Sequence, residues 1–215
     1  AVGIPFIHDI GGDDFVTIVD PMDFSQREAY AEELFQLRQR KGLTRAESRE
    51  LLTHRHFLGP MMVRMGDADG LIGGLVHKYA DTVRPALQTI GLDAKARLVA
   101  GTYMMVFKSE LMFFADPVIN IDPSAQELAE IALCTAETAR SFDVEPRVAM
   151  LSFSNFGSSR HPQADKVRQA TKIVQQRAPD LVVEGEMQAD LALTPSMLEE
   201  AYPFAELKGR ANVLV

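Results

Sequence analysis

Between Val148 and Glu184 the chain reads as a strand, a helix and a second strand in succession, and this run constrains the fold more than any other feature. Val148–Phe153 is an apolar strand, Gln163–Arg177 a helix, and Leu181–Glu184 the next strand. Short strands joined through a helix pair in parallel and need helices to cover their faces. The rest of the sequence repeats the alternation. Phe15–Val19 is a β-branched strand, and Ser25 with Glu28 has the spacing of a capping box for a helix that runs to Lys41 before Gly42 stops it. Thr44 and Glu47 give the same signature for a helix through about Leu52, and Leu58–Met65 is also helical. Leu71–Leu75 reads as a buried strand or tight turn, and Asp81 as the cap of a helix over Thr82–Ile90. Val99–Phe107 and Leu111–Ala115 form a predicted hairpin across Lys108-Ser109-Glu110. Asp122-Pro123 opens a long helix over Ser124–Phe142, and Ser196–Ala201 is a short one. The class is α/β with a mixed, mostly parallel sheet.

Composition narrows the function. Of 215 residues, 47% are hydrophobic and 24% charged, which is ordinary globular usage. With 22 basic and 30 acidic residues the net charge is −8, which argues against nucleic acid as the main partner. Apolar runs such as Met104-Met105-Val106-Phe107 are far shorter than the roughly 20 residues a membrane-spanning helix needs. No signal peptide is visible at the start, and the single Cys134 excludes an internal disulfide. A reducing cytoplasm fits this usage. The ends read as cut: the chain enters a strand almost at once and stops on the apolar run Ala211–Val215, where a covering helix is normally expected next. A fragment of a longer protein and a natural edge strand are the two readings of that end.

Two loops could hold a ligand. Ser152-Phe153-Ser154-Asn155-Phe156-Gly157-Ser158-Ser159 lies between strand and helix, where small hydroxyl residues and Gly expose backbone N–H groups to an anion. An ordinary polar loop explains the residues equally well. Gly66-Asp67-Ala68-Asp69-Gly70 lacks any phosphate-loop spacing and reads as tight turns. His54 and His56 diverge on a helix, while His8, His77 and His161 lack neighbouring ligands, so no metal site is expected. Cys134 reads as a buried structural thiol inside a helix. Glu184, Glu186 and Asp190 could form an acid/base group, although Glu186 and Asp190 read equally as solvated rim charges.

Seven stretches, in order, resemble the phosphate acetyl/butyryl transferase family. They are Leu37-Arg38-Gln39-Arg40-Lys41-Gly42-Leu43-Thr44, Asp67-Ala68-Asp69-Gly70 with Gly73-Gly74, Asp81-Thr82-Val83-Arg84-Pro85-Ala86-Leu87-Gln88, Phe114-Ala115-Asp116, Asp122-Pro123-Ser124-Ala125 with Leu128–Ala132, Glu145–Ser152, and Gly209–Val215. Residues 1–215 then form one phosphotransacetylase-like domain, with a subdomain division expected near 140–150. The resemblance implies a three-layer, Rossmann-like fold similar to isocitrate and isopropylmalate dehydrogenases, with acyl phosphate and coenzyme A in a cleft between two subdomains. It implies that Arg38 and Arg84 hold these ligands, because guanidinium forks meet a phosphate bidentately. Ser154, Asn155 and Ser158 would add neutral donors. The family's serine, arginine and aspartate for catalysis have no counterpart in these residues and are expected beyond Val215.

Within the family, the Ser152–Ser159 loop departs from the serine-threonine-glycine-serine pattern of the free enzymes. With Gly185–Asp190 and Tyr202-Pro203-Phe204, it resembles the C-terminal domain of hybrid bacterial malic enzymes. Two functions follow from the resemblance. One is a regulatory module that binds acetyl-CoA and inhibits an NADP-dependent malic enzyme. There the oxidative decarboxylation of malate to pyruvate, with NADP and a magnesium or manganese ion, belongs to separate N-terminal domains. The alternative is a catalytic phosphate acetyltransferase. Both imply a small-molecule acyl-CoA ligand, a homo-oligomer, and neither a nucleic-acid nor a membrane partner.

Overall fold

The computed structural model describes residues 17–74, 77–93 and 96–215. They belong to two compact units, one running to Gly91 and the other from Leu92 to Val215. Residues 140–150, where the sequence places a division, lie inside the second unit.

The described part of the first unit is helical. Helices α1 (Arg27–Arg38), α2 (Arg45–Leu51), α3 (Arg55–Met65) and α4 (Tyr79–Thr89) surround a core of Tyr30, Ala31, Leu34, Leu52, Leu58 and Met61. Tyr30 and Leu34 are one turn apart, which puts both on the face of α1 that is buried. The Thr44–Glu47 capping box forms as the spacing predicts, each side chain bonding the other's backbone N–H. The Ser25–Glu28 box does not. Helix α1 starts two residues after Ser25, from an uncapped Gln26, and the Glu28 carboxylate accepts from Arg49 Nε on α2 at 2.8 Å instead. Gly42 stops the segment in a left-handed conformation (φ 91°), after a 3-10 turn over Gln39–Lys41.

Three further expectations change here. Helix α4 begins before Asp81, which lies in its first turn rather than at its cap. Leu71–Gly74 has no regular structure and is exposed, Ile72 fully so; Leu75 lies outside the described residues. The end of the Leu71 side chain lies 2.9 Å from where a Cβ on Gly59 would be. Of the expected strand Phe15–Val19, the first two residues lie outside the described residues and Thr17–Val19 are not in a strand.

The second unit is built on a five-stranded sheet of order β1-β2-β5-β3-β4. β1 (Thr102–Val106) and β2 (Leu111–Ala115) are the predicted antiparallel hairpin. β2, β5 (Val213–Leu214), β3 (Arg147–Leu151) and β4 (Val182–Met187) pair in parallel. The mixed, mostly parallel α/β sheet is therefore present. β5 is not an edge strand but lies between β2 and β3, so the edge-strand reading of Ala211–Val215 fails.

The strand pleat sends alternate residues to opposite faces. Phe113, Val148, Met150 and Val213 face α5 (Ala125–Ser141) and α6 (Pro162–Arg177). Met112, Ala149, Met187 and Leu214 face α7 (Ala189–Leu193) and α8 (Pro195–Ala201). Helices thus cover both faces, as a parallel sheet requires. Asn212 ties the start of β5 to the start of β3: its side chain accepts from Arg147 N at 2.7 Å and donates to Glu145 O at 2.9 Å.

α5 is capped by Ser124 with Glu127, two residues later than the Asp122 cap read from sequence, and Asp122 pairs with Lys166 instead. Ser124→Ala is expected to cost about 1 kcal/mol of stability, read from the urea midpoint of the second unit. An unchanged midpoint would show that water replaces the cap without loss.

Candidate ligand site

Ligands of open parallel sheets sit beyond the carboxyl ends of the strands. In the second unit those ends carry the Ser152–Ser159 loop after β3 and Glu186–Gln188 at the end of β4. Gly185 lets the two approach: its φ is 153°, and a Cβ there would lie 2.6 Å from the Met150 carbonyl oxygen. The β3–β4 register shifts at this point, between Met150 and Leu151.

The shift turns Glu186 into the loop, where it is completely buried. Glu186 Oε1 accepts from Gly157 N at 2.7 Å, Ser154 Oγ at 3.0 Å and Arg168 Nη2 at 2.9 Å; Oε2 accepts from Arg168 Nε at 2.8 Å. Burial pushes this carboxyl upward, but the Arg168 fork, the Gly157 N–H and the Ser154 hydroxyl outweigh it and hold it below the usual carboxylate range. Arg168 is held in turn by Asp165, whose Oδ1 accepts from Nη1 at 2.8 Å. The loop's N–H and hydroxyl donors thus hold an anion, but that anion is the chain's own Glu186 carboxylate. Glu186 is no solvated rim charge.

The three loop residues singled out by sequence come together here. Ser154 is fully buried; its hydroxyl also accepts from Ser159 N at 3.0 Å. Asn155 donates to Gln188 Oε1 at 2.8 Å and accepts from Gln188 N at 2.6 Å. Ser158 is exposed, with its Oγ accepting from Asn155 N at 2.9 Å. Phe156 takes a left-handed conformation (φ 45°), pinned by its N–H on Glu186 O at 2.9 Å and by its ring against Tyr202 and Phe204. The solvent side of the loop presents Ser158 and an exposed Phe153, whose ring meets His161 edge-on.

Arg38 and Arg84 belong to the first unit. Arg38, half-buried at the end of α1, lines an open cavity of about 200 Å³ with Lys41, Glu47 and Gln88 over an apolar floor that includes Leu43 and Phe57. Glu47 is committed to the Thr44 cap, which holds its carboxyl below the usual range. Arg84 is exposed on α4 and does not line that cavity; Gln88, one turn further along the same helix, does. Lys41, Gln88, Arg168 and Gln188 were not singled out from sequence.

Among the described residues, no group of three or more His, Cys, Asp or Glu side chains is placed to hold a metal ion. Burial raises the Cys134 thiol, which makes it a weaker nucleophile. The Gly66 loop consists of turns: Gly66 caps α3 at φ 83°, and Asp67 and Ala68 both donate to Met62 O. No described helix is long and apolar enough to cross a membrane.

Residues 8–215 match the family described as Phosphate acetyl/butaryl transferase, and the chain belongs to that family. The phosphate acetyltransferase of Bacillus subtilis is 44% identical over 200 residues, which are 93% of this chain and 62% of that protein. The Escherichia coli K12 phosphate acetyltransferase is 38% identical over 93% of this chain and 28% of its own length. The crystal structure of a phosphotransacetylase from Streptococcus pyogenes aligns with a TM-score of 0.85 and 42% identity, covering 95% of this chain and 62% of that one. The chain thus spans between about a quarter and two thirds of the length of these relatives. Their names favour the transferase reading of the sequence over the malic-enzyme one.

Proposed function

We propose that this chain supplies the acyl-phosphate- and coenzyme-A-binding part of a phosphate acetyltransferase. In that reaction the coenzyme A thiolate attacks the acetyl carbonyl and phosphate leaves; the reverse reaction makes acetyl phosphate. The observation that carries the reading is the 44% identity to a phosphate acetyltransferase over 93% of the chain. The chemistry fits the residues. An acyl phosphate is a dianion, and Arg38 beside Lys41 offers a fork and a point charge above an apolar floor suited to the rest of the ligand. Arg84, exposed on α4 outside that cavity, is the second guanidinium that the family resemblance assigns to the ligand. Within the second unit, Asn155 and Ser158 are the loop residues suited to act as neutral donors, and Ser154 fixes that loop through Glu186 rather than meeting a ligand itself.

The test is acetyl phosphate formation from acetyl-CoA and phosphate by the full-length protein that carries this sequence. Activity is expected there and is expected to be lost in the 215 residues alone, because the family's catalytic serine, arginine and aspartate have no counterpart among them. Losing such groups together removes several orders of magnitude in rate. Turnover by the 215 residues would contradict this assignment of the catalytic groups.

The Ser152–Ser159 sequence favours a second reading, an acetyl-CoA-sensing module of an NADP-dependent malic enzyme. Its departure from the pattern of the free enzymes, and hydroxyls already engaged within the loop, suit binding without turnover. In that case Arg84→Ala weakens acetyl-CoA inhibition of malate-dependent NADPH production and leaves uninhibited turnover unchanged. Sensing by this route requires a coupling of about 1–3 kcal/mol between the two sites. Identical inhibition curves would remove Arg84 from the effector site.

A further inference from the structure

A second cavity in the first unit, of about 640 Å³, is built unlike the one at Arg38. Its rim carries His54, Arg55, His56 and His77; its floor is apolar, with Leu58 and Met62 of α3 and Val19. No carboxylate is among the described residues that line it. The rim groups touch one another. Arg55 Nη2 donates to His77 Nε2 at 2.6 Å, and the rings of His56 and His77 meet edge-on with centroids 4.2 Å apart.

An Arg55 that donates to His77 Nε2 needs a neutral imidazole there, because a protonated ring has no lone pair to offer. Protonating either ring of the pair would add a positive charge beside a guanidinium. The His56 imidazole is lowered first by burial and then by the charges of His77 and Arg55; Asp81 on α4 opposes this and His54 adds to it. The rim therefore gathers an arginine and three imidazoles with no carboxylate among the described lining residues, and burial together with the neighbouring charges disfavours a proton on His56. Helix α3 starts at this rim with no side-chain cap and no acidic residue in its first turn. The volume lies within the roughly 300–1,000 Å³ usual for small-molecule sites.

The geometry points to a binding site here for a small organic anion: a carboxylate or phosphate head on the His54–Arg55–His56–His77 rim, carrying a compact apolar tail into the Leu58–Met62 floor. An entering anion supplies the counter-charge the rim lacks. It takes over the Arg55 fork, favours a proton on His56, and so couples binding to proton uptake. The apolar floor selects an anion with a tail over a bare one. Nothing in this site depends on Arg38, Arg84 or the Ser152–Ser159 loop.

Butyrate and inorganic phosphate are the probes, titrated separately into the full chain at pH 6 and pH 8 while the histidine Cε1–H resonances are followed by NMR. Butyrate is expected to give saturable shifts at His56 and His77, about tenfold tighter at pH 6 than at pH 8, and to bind more tightly than phosphate. Arg55→Gln and His77→Ala should each weaken butyrate by about tenfold or more. Arg49→Ala, a surface arginine paired with Glu28, should leave it unchanged. The inference is overturned if neither probe gives saturable shifts, if phosphate binds more tightly than butyrate, or if Arg55→Gln titrates like the wild type.

Discussion

Arg168→Ala is expected to destabilise the second unit by about 3 kcal/mol at neutral pH, by removing the partner of a buried carboxylate. Glu186 is completely buried and its only guanidinium partner in the described residues is Arg168, bonded at 2.8 and 2.9 Å. The figure sits at the low end for a broken buried pair because the Arg168 side chain is about one third exposed. pH separates this account from a simple loss of packing. In the wild type, the depressed Glu186 carboxyl stabilises the fold above its unfolded pKa and loses that contribution as the pH falls through the folded one. In Arg168→Ala, burial dominates and raises the same carboxyl, so the variant is penalised where Glu186 must stay charged. The gap between the two proteins should then be widest near pH 7 and narrow towards pH 4. Urea unfolding across that range measures it. Glu186→Gln added to Arg168→Ala should recover part of the loss, since the double variant no longer buries an unpaired charge. A gap independent of pH, or a double variant that is worse by the full sum, would show that the pair is not what holds the loop.

The sheet and its cover were legible because each signal was local and agreed with its neighbours. The apolar run of β3, the helix after it and the apolar run of β4 each need only short-range patterning, and the hairpin is marked by Lys108-Ser109-Glu110. Starts of helices were less legible where two caps compete. Asp122 and Ser124 both precede α5, and Ser124 wins because Glu127 lies three residues on and completes the box, while Asp122 finds Lys166 in α6. Ser25 had the right partner spacing at Glu28, but that carboxylate is drawn to Arg49, a contact between helices that no local window contains.

The same limit applies to the ligand site. The residues of the Ser152–Ser159 loop could be marked from their types, yet what fills the cradle arrives from β4, some thirty positions away. One signal was available: an acid at an inner strand position, between Val183 and Met187, requires a buried partner, and Arg168 faces it from the preceding helix. Family resemblance supplied Arg38 and Arg84, which residue types alone left among ordinary surface arginines.

Arg38→Ala is expected to weaken binding of acetyl-CoA and of acetyl phosphate by about 100-fold, the usual cost of removing one charged partner of a desolvated anion. Arg38→Lys should recover only part of it, because an ammonium keeps the charge but not the fork. Stability should change little, since the side chain is half-exposed at a helix end beside an open cavity. Calorimetric titration of acetyl-CoA into the full-length protein, wild type against Arg38→Ala, is the most direct test that this chain binds acyl-CoA through the first unit. The account predicts saturable binding by the wild type and a roughly 100-fold loss in a variant whose unfolding midpoint is unchanged. Equal affinity in both proteins, or no binding by the wild type, would contradict it.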